Sequence, residues 1–192
     1  MKKYVIIAGV NGAGKSTLYQ TNRLIENMAR VNLDEIVRGF GDWRNPTDVS
    51  KAGKIAVRMI NEYFEKGISF NQETTLCGKS IINNILKAKA LGYSIEMYFV
   101  GLESAKLAKE RVKIRVINGG HGIPEADIER RYEEALKQLV KAIPLCDSVK
   151  IFDNTAGFTR IAEFHNGKCC MCARKIPKWY VKVYQEFEEL DV

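Results

Sequence analysis

A glycine-rich segment near the amino terminus has the residue types and the spacing that hold phosphate groups. Residues 9–16 read Gly-Val-Asn-Gly-Ala-Gly-Lys-Ser and match G-x-x-x-x-G-K-[ST] at every fixed position. Glycines let several backbone N–H groups converge on phosphate oxygens, the lysine reaches the β- and γ-phosphates, and the hydroxyl ligates Mg²⁺. The residues predicted to bind the nucleotide are Gly9, Asn11, Gly12, Ala13, Gly14, Lys15, Ser16 and Thr17, with Ser16 also the metal ligand. The alternative, a turn that binds nothing, is disfavoured because an apolar strand precedes the segment and a helix can follow it.

Two carboxylates follow predicted strands and can serve a phosphoryl transfer reaction. Asp34 comes after a short predicted strand at 30–33, and Glu73 ends a predicted strand at 68–72, before Thr74 and Thr75. Ligands bind at the carboxyl ends of parallel strands, and a kinase needs a carboxylate there to orient or deprotonate the acceptor hydroxyl. The alternatives are an ordinary helix cap for Asp34 and a solvent-facing strand end for Glu73. No N-K-x-D guanine signature occurs, which favours ATP over GTP.

Two basic helical segments flank a glycine-rich break and predict a lid over the phosphates. Arg111 and Arg115 are four residues apart and share a helix face. Arg130 and Arg131 lie on the next predicted helix, and the pattern does not choose between them. The intervening Gly119-Gly120-His121-Gly122 is typical of a hinge, and His121 is interpreted as a hinge residue rather than a general base. The alternative for each arginine is a solvated helix face.

The elements that must position these residues alternate between strand and helix. Strands are predicted at 3–8, 30–33, 68–72, 94–100 and 148–152, and helices at 15–28, 48–66, 79–91, 104–117, from about 124, and at 177–190. This order predicts an α/β fold of three layers with a mostly parallel five-stranded sheet. A single domain over 1–192 is expected, with a lid at about 103–131. Asn166-Gly167 predicts the turn of a hairpin within a carboxyl-terminal region at about 159–192.

Length and composition favour a soluble intracellular domain with an anionic partner. The chain has 192 residues, of which 46% are apolar, and a net charge of +7. The apolar run at 4–10 is too short for a signal peptide, and no run approaches the ~20 residues needed to span a bilayer. We therefore expect a cytoplasmic protein without membrane contact, whose five cysteines are reduced thiols.

The carboxyl-terminal segment allows two further interpretations. Residues 168–182 hold five basic side chains and no acidic one, together with Trp179 and Tyr180. A nucleic-acid surface is one interpretation, but an amphipathic helix that packs its aromatic rings on the sheet is favoured. Cys169, Cys172 and His165 could be read as zinc ligands, although a hairpin with half-buried thiols is favoured because a fourth well-spaced ligand is missing.

Several blocks of the sequence together resemble the zeta-toxin family of P-loop kinases. The blocks are Gly9 to Thr17, Asn-Leu-Asp-Glu-Ile at 32–36, Glu-Thr-Thr-Leu at 73–76, Arg115-Val116, Gly119-Gly120-His121, Pro124, Ile-Glu-Arg-Arg-Tyr at 128–132 and Asp-Asn-Thr at 153–155. They cover most of the chain, and the specificity of the match lies in their order and spacing. The cysteine-rich tail is not part of this pattern.

The resemblance implies an ATP- and Mg²⁺-dependent kinase, because the bacterial toxins of this family phosphorylate UDP-N-acetylglucosamine. By motif, Asp34 corresponds to the catalytic base, and Glu73 and Thr75 to acceptor-site residues, to which the residue pattern adds Thr74. The arginines near 115 and 130 correspond to the γ-phosphate clamp, so the expected catalytic set is Lys15, Asp34, Arg115, Arg130 and Arg131. The family also suggests a protein antitoxin as a partner.

Three functional hypotheses follow from the sequence. A small-molecule kinase that acts on a hydroxyl group, with a nucleotide sugar as the suspected acceptor, is preferred. A polynucleotide 5′-hydroxyl kinase is second, supported by the positive charge and the basic tail. A nucleotide-binding switch without transfer chemistry is third, and the presence of both Asp34 and Glu73 argues against it.

Overall fold

The computed structural model of the chain describes residues 1–22, 25 and 27–189, and they form an α/β fold. The strands in these ranges are β1 (Lys3–Gly9), β2 (Ala29–Val31), β3 (Phe70–Thr74), β4 (Ser94–Gly101), β5 (Ser148–Asp153), β6 (Thr159–His165) and β7 (Lys168–Cys172). The helices are α1 (Lys15–Thr21), α2 (Leu33–Arg38), α3 (Pro46–Lys66), α4 (Lys79–Ala90), α5 (Ala105–Ile117), α6 (Glu125–Ala142) and α7 (Lys178–Glu188), with a 3₁₀ turn at Ile143–Leu145. No helix in these ranges is both long and apolar enough to cross a membrane.

The strands in the described ranges form one sheet in the order β2-β3-β1-β4-β5-β6-β7. The first five of these are parallel, which confirms the predicted parallel sheet. The β6–β7 hairpin turns at Asn166-Gly167, as predicted, and β6 pairs antiparallel with β5. The sheet therefore has seven strands rather than five, because the hairpin covers the edge that β5 would otherwise expose.

The central strand β1 is buried on both faces, as a strand of a parallel sheet covered by helices must be. Tyr4, Ile6 and Ala8 pack in the main core, which includes side chains from α3, α4, α6 and α7. Val5 and Ile7 pack on the opposite face in a smaller cluster to which α1 contributes. The loop that leaves β1 thus stands on a strand that packing holds from both sides.

Two predicted boundaries differ from the structure for local reasons. β2 ends at Val31 rather than residue 33, and Asn32 caps a short helix, α2, that the pattern did not predict. The Asn32 side chain accepts the backbone N–H groups of Asp34 and Glu35, which favours a helix start over a longer strand. The helix predicted at 15–28 ends at Thr21, because Asn22 adopts an extended conformation. Residues 23, 24 and 26 lie outside the described residues.

The carboxyl-terminal helix α7 packs its aromatic side chains into the core. Trp179 and Tyr180 are both buried, so the interpretation of this helix as amphipathic is confirmed over its described length. The last residues of the predicted helix, from Leu190, lie outside the described residues. Cys169 and Cys172 lie on the hairpin as expected, but they are exposed rather than half-buried because β7 is the edge strand.

Candidate active site

The glycine-rich loop joins β1 to α1 and is held closely by its neighbours. A Cβ on Gly9 would lie 2.1 Å from the carbonyl oxygen of Val100, so no side chain fits there. Gly14, the N-cap of α1, has a φ of 94°, a left-handed conformation that glycine adopts without strain. Lys15 is buried, and its Nζ donates to the carbonyl oxygens of Gly9 (2.9 Å) and Val10 (3.1 Å). The loop therefore joins strand to helix as the motif predicts, with the lysine side chain packed against it.

The Lys15 ammonium lies in the electrostatic field of three charged groups that the sequence places far apart. Burial lowers the pKa of Lys15, the carboxylates of Glu73 and Asp34 act to raise it, and Arg115 acts to lower it. The fold thus brings together the phosphate loop, the two predicted carboxylates and one predicted arginine.

Glu73, near the end of β3, faces the hydroxyl group that follows the loop lysine. Both of its carboxylate oxygens lie 3.4 Å from Ser16 Oγ. One oxygen also accepts from Arg30 Nη2 at 2.6 Å and from Asn32 Nδ2 at 3.0 Å. Sequence reasoning missed Arg30 and Asn32, because nothing in the local pattern shows that β2 lies beside β3.

Arg30 is the centre of a buried polar network beneath Glu73. Its Nε donates to Glu35 at 2.9 Å, its Nη1 donates to Asn71 at 3.0 Å, and its guanidinium lies 3.6 Å from the centre of the Tyr19 ring. The side chains of Arg30 and Glu73 are only 10% and 12% exposed. Such a multidentate arginine fixes the position of the carboxylate it binds.

Oxygen donors beside the loop fit a hard cation. The Ser16 hydroxyl and the Glu73 carboxylate are ligand types that Mg²⁺ prefers, and this ion normally takes few protein ligands together with phosphates and water. In the described part of the chain, no group of three or more His, Cys, Asp or Glu side chains could form a metal cage. The donor set fits Mg²⁺ carried with a nucleotide.

Asp34 lies in the first turn of α2, so it is neither the end of a strand nor the helix cap. Its Oδ2 is 3.9 Å from Arg115 Nη1, and its Oδ1 is 3.4 Å from His121 Nε2. The cap is Asn32, whose Oδ1 accepts the Asp34 N–H at 2.9 Å. The aspartate side chain is thereby left to face α5 and the glycine-rich segment after it.

The predicted arginines differ in where their guanidinium groups point. Arg115 faces Asp34, and its buried Nε and Nη2 have no hydrogen-bond partner among the described residues. Arg111 lies beside Gly12 and donates to the carbonyl oxygen of Thr155 at 3.0 Å. Arg130 is 58% exposed and binds acidic residues of its own helix. Arg131 is 30% exposed, and its charge helps to lower the pKa of His121.

The loop after β3 is tied to α6. Thr74 Oγ1 accepts the N–H of Leu76, a buried residue with a φ of 65°. The N–H of Gly78 donates to Glu134 at 2.7 Å, and the Cys77 thiol donates to the carbonyl oxygen of Arg131 at 3.4 Å. The Thr74 hydroxyl thus stabilises a tight turn, and Thr75, the next residue, lies in the same turn, where its carbonyl oxygen accepts from the Cys77 thiol.

The segment after β5 packs against the glycine-rich loop between β1 and α1. Asn154 Nδ2 donates to the carbonyl oxygen of Ala13 at 2.8 Å, and the Phe158 ring lies against Gly14. Asp153 accepts from the Thr155 hydroxyl and from Trp179 Nε1, both on Oδ1. The chain after β5 is therefore connected both to the phosphate loop and to α7.

The sequence matches a known protein family and a relative from another organism. Residues 1–161 match the zeta toxin family. A protein of Haemophilus influenzae described as uncharacterized is 32% identical over 132 residues, which are 68% of this chain and 92% of the relative.

Solved structures share the fold at lower sequence identity. The complex AvrRxo1-ORF1:AvrRxo1-ORF2 with sulphate ions aligns at a TM-score of 0.74 and 14% identity over 95% of this chain, which spans 63% of that protein. The PezAT toxin-antitoxin system of Streptococcus pneumoniae aligns at 0.59 and 14% identity, covering 97% of this chain and 78% of that protein. A structure of the Pnkp1/Rnl/Hen1 RNA repair complex aligns at 0.57 and 20% identity, over 73% and 46% of the two chains. With the family match over most of its length, the chain belongs to the zeta toxin family.

Proposed function

We propose that this protein is an ATP-dependent kinase that phosphorylates a hydroxyl group of a nucleotide sugar, with UDP-N-acetylglucosamine as the first acceptor to test. The observation that carries the proposal is the convergence on one cleft of Lys15, Asp34, Glu73 and Arg115 beside the phosphate loop. The two unpartnered donors of Arg115 are suited to phosphate oxygens, which would satisfy buried N–H groups that otherwise cost free energy.

Each residue of the cleft has a role that follows from its position. Lys15 exchanges its bonds to the loop carbonyls for bonds to the transferring phosphate, and Arg115 neutralises charge that develops on the same group. Arg130 binds Asp127 at 3.0 Å and Glu134 at 3.1 Å, whereas Arg131 is less exposed and pairs with Asp127 at the longer distance of 3.6 Å. Arg131 is therefore the better second clamp residue. These contacts act on the phosphoryl group and leave the acceptor to other residues.

Asp34 is the proposed base. The acceptor oxygen forms a bond to the γ-phosphorus as the bond to the β–γ bridging oxygen breaks, ADP leaves, and the acceptor proton passes to the Asp34 carboxylate. Ser16 and Glu73 would hold Mg²⁺, which when bound neutralises phosphate charge. Glu73 therefore has a proposed role on the metal side of the nucleotide as well as the acceptor role that the family pattern implies.

A polar acceptor suits the Glu73 carboxylate and the hydroxyl groups of Thr74 and Thr75, at and directly after the end of β3. The rings of Trp179 and Tyr180, which a nucleic-acid surface would expose, are buried instead. The acceptor hypothesis therefore favours a nucleotide sugar over an oligonucleotide. A protein antitoxin is the proposed partner, since the similar PezAT structure is described as a toxin-antitoxin system.

The direct test is incubation of the purified protein with ATP, Mg²⁺ and UDP-N-acetylglucosamine, followed by mass spectrometry of the products. We expect a nucleotide sugar heavier by one phosphoryl group, together with ADP. Parallel reactions contain a 5′-hydroxyl oligonucleotide in place of the sugar. Transfer to the oligonucleotide, with none to a nucleotide sugar, would contradict the proposed acceptor and favour a polynucleotide kinase.

Two variants assign the roles within the same assay. Lys15→Ala should lose at least ~100-fold in rate, because preorganised electrostatics at the transferring group is worth ~3 kcal/mol or more. Asp34→Asn should lose a similar factor while binding ATP nearly normally, since it acts on the acceptor. Asp42→Asn, which changes an exposed carboxylate bound to Arg44, is the matched control and should keep the wild-type rate. A wild-type rate in Lys15→Ala would refute the assignment of the glycine-rich loop as the site of phosphoryl transfer.

A further inference from the structure

The glycine-rich segment between α5 and α6 carries a histidine that contacts the proposed base. His121 Nε2 lies 3.4 Å from Asp34 Oδ1, and the His121 side chain is only 15% exposed. Its ring packs against Trp43 with the ring centres 5.1 Å apart. An ordinary hinge residue would need neither contact.

The glycines around His121 fix its position by close packing. A Cβ on Gly120 would lie 2.6 Å from Arg115 Cγ, and a Cβ on Gly122 would lie 2.5 Å from Trp43 Cη2 and 2.8 Å from Val116 Cγ2. The segment is therefore pressed between α5 and the loop that bears Trp43. This packing directs the imidazole at Asp34.

The surroundings of His121 favour its neutral form. Burial lowers the pKa of His121, and the positive charges of Arg115, Arg38 and Arg131 lower it further. The Asp34 carboxylate opposes these effects and acts to raise the pKa. At neutral pH the imidazole is thus an uncharged group that can donate one hydrogen bond through Nε2.

We propose that His121 is a positioning residue for Asp34, donating from Nε2 to Oδ1 so that Oδ2 is aimed at the acceptor hydroxyl. The proposal rests on the proposed function, in which Asp34 takes the acceptor proton. Protonation of His121 turns the contact into an ion pair, which stabilises the carboxylate as an anion and makes it a weaker base. The rate of phosphoryl transfer should therefore decrease as the pH is lowered and His121 becomes protonated.

The contact can be tested without activity, because the chain has two histidines and two tryptophans. Protonated His121 should quench Trp43, so tryptophan fluorescence is expected to change with a midpoint below pH 6.5. The change should vanish in His121→Gln and in Trp43→Phe. In Asp34→Asn it should move to lower pH, since the carboxylate that raises the His121 pKa is gone. A midpoint unchanged by Asp34→Asn would overturn the proposal.

His165 supplies the matched control for this titration. Its Nε2 lies 3.3 Å from a Glu163 carboxylate oxygen, a similar pair on the β6–β7 hairpin. His165→Gln should leave both the fluorescence change and the rate of phosphoryl transfer as in the wild type. A titration that disappears in His165→Gln instead would assign the signal to the hairpin and contradict the proposal.

Kinetics separate a positioning role from a packing role. We expect His121→Ala to lower kcat about tenfold, the range seen when a supporting hydrogen bond is lost, with KM for ATP unchanged. His121→Gln should recover most of the rate, because its amide N–H can replace Nε2–H, and should lose the acid decline in kcat. An equal loss of kcat in His121→Ala and His121→Gln, with an unchanged pH profile, would overturn the positioning role of His121 but leave the proposed function standing. Absence of transfer by the wild type to any acceptor would overturn the proposed function with it.

Discussion

At the scale of single residues, the cleft depends on side chains that hold the reactive groups in place. Glu73 keeps its position against Ser16 because Arg30 and Asn32 bind one of its carboxylate oxygens. Arg30 is itself held by Glu35 and Asn71. A buried ion pair of this kind contributes little net stability. Loss of one partner is nevertheless costly, because the remaining buried charge then has neither a counterion nor water to stabilise it.

Replacement of Arg30 should therefore damage both stability and transfer. Arg30→Met is expected to lower the free energy of unfolding by about 3–5 kcal/mol, measured by urea denaturation, because Glu73 would remain buried without its cation. Arg30→Lys should recover only part of this loss, since one ammonium cannot make the three contacts of the guanidinium.

The exposed pair of Arg44 with Asp42 is the control for Arg30. Its atoms are 3.4 Å apart and both side chains are more than half exposed, so Arg44→Met should change stability little. An Arg30→Met protein that is as stable as Arg44→Met would show that the network does not hold Glu73.

At the scale of elements, α2, α5 and the segment after α5 meet over the phosphate loop. Asp34 comes from α2, Arg115 comes from α5, and His121 comes from the segment between α5 and α6. Trp43, from the loop between α2 and α3, packs on Gly122. The relative positions of these elements therefore decide how Asp34, Arg115 and His121 face one another.

Gly122→Ala should perturb this junction specifically. The new methyl group would overlap Trp43 and Val116, so we expect Trp43 fluorescence to shift and the rate of phosphoryl transfer to fall. Gly119→Ala is the comparison: nothing lies within 4 Å of its Cβ, but its φ of 79° makes any side chain strained. It should lose about 1 kcal/mol of stability without a change in rate. Equal rate losses in the two variants would argue against a steric effect at Trp43.

At the scale of the whole molecule, the carboxyl-terminal helix packs against the end of the sheet that carries the glycine-rich loop. Trp179 Nε1 donates to Asp153 at 2.8 Å, and the indole covers Gly101 so closely that a Cβ there would lie 2.3 Å from the ring. The family match ends at residue 161, but α7 lies beyond that point and is part of the same core. The tail is therefore a structural component of the domain.

Removal of α7 should prevent stable folding. A protein that ends at Ile176 loses four buried side chains, Trp179, Tyr180, Val183 and Phe187. At ~1.5–3 kcal/mol each, their burial contributes at most about 6–12 kcal/mol, which is comparable to the total stability of a typical domain. Circular dichroism during heating measures the loss. Trp179→Phe should be only modestly destabilised, and Val181→Ala, at an exposed position, nearly unchanged. A truncated protein with the wild-type melting temperature would contradict this role.

Features that depend on neighbouring residues in the chain could be predicted from the sequence alone. The phosphate loop at Gly9–Ser16, the five parallel strands and the hairpin turn at Asn166-Gly167 were all recognisable, because glycine spacing and hydrophobic periodicity act over a few residues. The order and spacing of the motifs also indicated the family. The sequence pattern does not predict the short helix after Asn32, because that helix begins where one side chain, Asn32, accepts the backbone N–H groups of Asp34 and Glu35.

Only the tertiary structure decided which of the candidate residues face one another. The sheet order β2-β3-β1-β4 brings Arg30 to Glu73, and the docking of α5 brings Arg115 and His121 to Asp34. The sequence pattern does not choose between Arg130 and Arg131, but the fold leaves Arg130 58% exposed and Arg131 30% exposed. Such contacts join residues far apart in the chain, and their geometry depends on strand order and helix packing, for which a linear pattern carries no signal.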